Sequence, residues 1–89
     1  AYTLKANVQF VRCLTGTDAD VLEFIAKPGS KITRKILKDL DFPEAAIVGG
    51  VVRNKIAFIA KGDTRVQDND IVIVFALPSE ISKVEKFFS

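Results

Sequence analysis

The stretch KGDTRVQDNDIVIVF, residues 61 to 75, sets Gly62-Asp63-Thr64 a few residues ahead of Asn69-Asp70 and then becomes continuously apolar. Carboxylates beside a glycine are the raw material of a phosphate cradle, of a divalent-cation loop or of a tight turn. A phosphate cradle draws several backbone amides from a helix N-terminus and commonly places a lysine after the glycine. Here the glycine is single and a strand-like run follows. A cation loop needs more oxygen ligands than Asp63, Asp68 and Asp70 supply along an irregular segment. Gly62 and Asn69 tolerate positive φ, and Asp63 and Asp70 can accept bonds from nearby amides as Asx turns, so turn chemistry accounts for the whole cluster.

A second place for chemistry is Gly49-Gly50, which interrupts an aliphatic run. Paired glycines in a strand mark close approach by another backbone or by a ligand. The adjoining Val48, Val51 and Val52 supply an apolar wall, Arg53 a forked cation suited to phosphate, and Asn54 a two-way hydrogen-bonder. Residues Val48, Gly49, Gly50, Val51, Val52, Arg53 and Asn54 are therefore the candidate ligand-binding set. The alternative is that the glycines bend the strand or permit tight dimer packing, with Arg53 a solvated hairpin residue.

Other chemistries are thin. The chain has no histidine and one cysteine, Cys13, which excludes Cys/His zinc centres and Ser-His or Cys-His nucleophilic pairs and leaves no catalytic set. Cys13 reads as a small packing residue and fits a reducing compartment. Thirteen basic against eleven acidic residues give a net charge of +2, too balanced for the clustered footprint of a nucleic-acid binder. Lys31, Arg34, Lys35 and Lys38 form a basic stripe that suits an acidic protein surface or lipid headgroups, although most such stripes are solvated faces. No metal ligand set is expected.

The elements that position these residues follow from periodicity. Ile32, Ile36, Leu37 and Leu40 recur at helical spacing after Ser30 as an N-cap, which predicts an amphipathic helix between Ser30 and Leu40. A second is predicted from Ser79 to Phe88, burying Ile81, Val84, Phe87 and Phe88. β-branched runs predict strands at Asp20 to Ala26, Ala46 to Val52, Ile56 to Ala60 and Asp70 to Ala76, with a further strand at Val8 to Leu14 before a turn at Thr15-Gly16-Thr17-Asp18. Residues 1 to 7 read as the end of a preceding helix. Asn54 suits the positive φ of a tight hairpin. The longest apolar run, Ile71 to Leu77, is far shorter than the ~20 residues of a membrane helix. The order of elements predicts an α+β fold, a small mixed or antiparallel sheet of about four to five strands with two short amphipathic helices.

Taken together, Pro28-Gly29-Ser30, the Ile32 to Leu40 segment, the Ala46 to Arg53 strand, Gly62-Asp63-Thr64 and Asp70 at the start of the last strand closely resemble the C-terminal domain of Trk-type potassium-uptake regulators, found also in regulators of potassium conductance. Asn69 stands where that family commonly has glycine. The resemblance implies residues 1–19 as the end of a linker with a lead-in strand and 20–89 as the regulatory domain, a fragment lacking the nucleotide-binding Rossmann domain that precedes it in relatives. It further implies a non-enzymatic, cytoplasmic module peripherally associated with the inner membrane face through a membrane-embedded potassium transporter. A homodimer is expected, with a cyclic dinucleotide as the effector to consider and nucleotide binding otherwise confined to the missing Rossmann half. The alternatives are a purely structural dimerisation module, or an accessory domain of another cation or anion transporter.

Overall fold

In the computed structural model, which describes residues 8–13 and 19–89, strands β1 (Val8–Cys13), β2 (Asp20–Ile25), β3 (Ala46–Arg53), β4 (Ile56–Ile59) and β5 (Ile71–Ala76) precede one helix, α1 (Ile81–Phe88). The strands form a single sheet in the order β1-β2-β5-β3-β4, with every neighbouring pair antiparallel. The fold is α+β. The readings for residues 1 to 7, for the Thr15 to Asp18 turn and for the Cys13 side chain lie outside the described residues.

One face of the sheet carries the core. Leu22 and Phe24 of β2, Val72, Val74 and Ala76 of β5, and Ala46 and Val51 of β3 are all buried. Helix α1 closes this face with Ile81, Val84 and Phe88 at the i, i+3, i+7 spacing of an apolar stripe. The Phe88 ring stacks on Phe24 with centroids 4.4 Å apart. Phe87, expected in the buried stripe, is half-buried and meets Phe42 edge-on with centroids 5.0 Å apart. Pro78–Glu80 forms a 3-10 turn into the helix, and no side chain caps either start.

The segment predicted as a helix from Ser30 to Leu40 is instead two 3-10 turns, Lys31–Thr33 and Leu37–Asp39, separated by extended backbone at Ile36 (φ −64°, ψ 154°). Competing hydrogen bonds decide this. Leu37 N–H donates to Thr64 O and Lys38 N–H to Gly62 O, both at 2.9 Å, so the segment pairs with the 62–64 loop rather than with itself. Ser30 does not cap; its hydroxyl donates to Lys27 O at 2.6 Å, and Thr33 Oγ1 donates to Ser30 O at 2.7 Å, local bonds that rival the helical ladder. The burial expected from the spacing survives: Ile32 is buried and Ile36, Leu37 and Leu40 are half-buried. The basic residues Lys31, Arg34, Lys35 and Lys38 are all exposed, but they are spread over two 3-10 turns and the link between them rather than along one helix face.

The polar cluster of residues 61–70 makes turns. Thr64 N–H donates to Lys61 O and Thr64 Oγ1 accepts from Lys61 N–H, each at 3.0 Å. Asp70 Oδ2 accepts from Gln67 N–H at 2.9 Å, and Asn69 takes φ +70°, the left-handed conformation expected of it. Gly62 is not in that region. Between β3 and β4 both Asn54 (φ +51°) and Lys55 (φ +68°) are left-handed, as a two-residue type I′ hairpin requires.

Candidate functional site: an apolar groove on the open sheet face

Because successive strand residues point to opposite faces, the pairs Ile47 with Phe75, Gly50 with Ile73, Val52 with Ile71, and Gly50 with Ile59 all lie on the face away from α1. A half-exposed antiparallel strand should alternate apolar with polar, yet β5 is apolar on both sides. Ile47 and Ile59 are 66% and 75% exposed and Phe75 36%, large apolar groups gathered on one surface. Concentrated exposure of this kind marks an interaction surface.

The groove in this face exists because of Gly49. The register of β3 against β5 slips between Val48 and Gly50, so Gly49 is the extra residue of a β-bulge. The Phe75 ring lies over the space a side chain would fill. A Cβ on Gly49 would sit 2.9 Å from Phe75 Cδ2 and closer still to Cε2. Gly50 is less constrained, with Phe58 O at 3.4 Å from its hypothetical Cβ. Gly49→Ala is therefore expected to displace Phe75 and cost about 1–3 kcal/mol, the usual penalty of overpacking, read as a fall in the urea midpoint. Gly50→Ala should cost less than half as much.

Gly49, Gly50, Val51 and Val52 line the resulting groove of about 400 Å³, together with Phe58 and Ile59 of β4 and Ile73 and Phe75 of β5. That volume lies within the roughly 300–1,000 Å³ range of small-molecule sites. The remaining candidates sit elsewhere. Val48 packs against the core, and Asn54 is exposed at the hairpin tip. Phe58, Ile59, Ile73 and Phe75 were not singled out from the sequence; the signal for two of them was the unbroken apolar run of β5.

Arg53 is not solvated. Its Nε donates to Asp70 Oδ1 at 3.0 Å and Nη2 to Asp70 Oδ2 at 2.8 Å, while Nη2 also reaches Arg65 O at 3.1 Å. The Asp70 side chain is 3% exposed and that of Arg53 28%. The hydrogen bonds to Asp70 raise the guanidinium above the ordinary arginine pKa; partial burial opposes this rise and the carboxylate's charge adds to it. The guanidinium carbon lies 5.1 Å from the ring centroid of Phe58, which pairs with Val51 and packs against the core, so the clasp belongs to the face opposite the groove. No helix of the described residues is long and apolar enough to cross a membrane.

Comparisons with known proteins agree with this architecture. The chain is 35% identical over 86 residues to the Trk system potassium uptake protein TrkA homolog 1 of Methanosarcina mazei, covering 97% of this chain and 19% of that protein. It is 38% identical over 68 residues to the homolog from Archaeoglobus fulgidus (76% and 15% covered), and 31% identical over 84 residues to TrkA of Azorhizobium caulinodans (94% and 18%). The chain thus spans about a fifth of the length of these curated relatives. A solved structure described as "Structure of RCK domain with cda" superposes with a TM-score of 0.67 at 17% identity, covering 78% of this chain and 97% of that one, a likeness of fold. The model of the TrkA-C domain matches residues 21–89, and on that match and these relatives the chain belongs to the TrkA-C domain family.

Proposed function

We propose that this domain is a non-enzymatic regulatory module of a Trk-type potassium-uptake system, that two copies pair through the open sheet face, and that a small effector of the cyclic dinucleotide class binds where their grooves meet. The apolar groove at the Gly49 bulge is the observation that carries the reading. A two-fold dimer presents the same surface twice. A ligand with two equivalent bases matches that symmetry, each base lying on one copy of the Ile59, Ile73 and Phe75 wall. Arg53 is then not a free cation for the ligand, since Asp70 holds it.

Effector binding would favour one of two dimer arrangements by no more than its difference in affinity for them. In the full regulator the attached Rossmann domain would carry that change toward the membrane-embedded transporter, and the module would sit at the inner face of the membrane through that partner. A purely structural dimerisation role is the second reading, favoured by the low polarity of the groove lining.

Thermal denaturation with added cyclic di-AMP tests the choice. At a hundredfold excess over Kd the ligand should stabilise the chain by about 2.7 kcal/mol. Cyclic di-AMP, cyclic di-GMP and ATP all leaving the melting curve unchanged, with the dimer intact, would replace the sensing role by the structural one.

A further inference from the structure

Apart from the groove, a surface cavity of about 530 Å³ lies between the Gly29–Arg34 turn and residues 65–68. Two guanidinium groups, Arg34 and Arg65, line it, with Thr33, Gln67 and Asp68 beside them. Each arginine is tethered to backbone: Arg65 Nε donates to Thr33 O at 3.0 Å, and Arg34 Nη2 to Gly29 O at 3.3 Å. Among the described residues neither forms an ion pair, whereas Arg53 does. A guanidinium carries five N–H donors, so one tether leaves most of the fork available.

Both walls are braced. Gly29 takes φ +78°, Thr33 is tied to Ser30, and Val66 is fully buried between Arg65 and Gln67. Arg65 O accepts from Arg53, and Gln67 N–H donates to Asp70. Tethered forks on fixed walls are the arrangement that recognises phosphate, because little order remains to be imposed on binding.

We propose that Arg34 and Arg65 form a binding site for the phosphate group of a small molecule. Asp68 leaves the cavity with only one net positive charge, which suits a single compact anion and disfavours a polyanionic surface. The site uses different residues from the groove, so either can fail without the other.

Pyrophosphate titration followed by the Arg Nε–Hε and Gln67 amide resonances of the 89-residue chain tests it. Saturable shifts at Arg34 and Arg65 are expected. Arg34→Gln, which leaves the Arg65 to Thr33 bond intact, should weaken binding at least tenfold without lowering the melting temperature. Arg65→Lys, which keeps the charge but loses the fork, should weaken it less. Shifts that fail to saturate, or that chloride reproduces at equal ionic strength, would overturn the proposal. So would sedimentation of the chain with phosphatidylglycerol vesicles while pyrophosphate leaves both arginines unmoved, since that would make the cations a membrane-facing patch.

Discussion

Ile59→Asp is expected to abolish the proposed pairing of two chains, raising the Kd of that dimer at least a hundredfold, while each monomer keeps its fold. Ile59 is 75% exposed in the single chain, so a charge there costs the monomer about 1 kcal/mol or less, mostly through strand propensity. In a dimer closed over the open face the same carboxylate is buried once from each copy, with apolar neighbours in place of a cation. Desolvating an unpaired carboxylate costs several kcal/mol, whereas a hundredfold change in Kd needs only about 2.7 kcal/mol. Sedimentation velocity over a concentration series reads the outcome. A variant that still sediments as the wild type would move the interface off this face.

Arg53→Ala is expected to lower stability by about 3 kcal/mol, the lower end of what breaking a buried ion pair costs, because the arginine is partly exposed while Asp70 is not. For a domain of this size that is a fall in Tm of roughly 10–25 °C. Removal strands the Asp70 carboxylate and withdraws the donor from Arg65 O, loosening the loop that carries both. Asp70→Ala should cost a similar amount, and the double variant clearly less than the sum, since the two share one interaction. The folded pKa of Arg53 is raised, so its contribution is fully present below the unfolded arginine pKa and disappears only as pH climbs through the folded one. Denaturant midpoints should therefore show the same Arg53→Ala deficit at pH 6 and pH 9. Loss of ligand affinity in this variant would not by itself show that Arg53 touches a phosphate.

Local chemistry was legible in the sequence. Asn69 and Asn54 follow from φ preferences and are found where those rules put them, whereas Asp70 accepts from the Gln67 amide three residues back and from Arg53 rather than making the expected Asx turn. The strands of β2 to β5 followed from β-branched runs bounded by turn residues. Long-range pairing was not legible. The Arg53 to Asp70 clasp joins residues 17 apart, and no local pattern distinguishes a clasped arginine from a solvated one. The Ser30 to Leu40 spacing gave the right buried side chains and the wrong backbone, because Thr64 and Gly62 carbonyls outcompete the helix for the amides of Leu37 and Lys38. Gly49-Gly50 announced a close approach, but only the fold shows that the approaching group is the Phe75 ring of a neighbouring strand.

Calorimetric titration of cyclic di-AMP into the chain, with light scattering on the same sample, bears most directly on whether the open face forms a shared sensory groove. One ligand bound per two chains, at a mass twice 9.8 kDa, is the predicted result. Absence of binding heat, or one ligand per chain at the monomer mass, would contradict it.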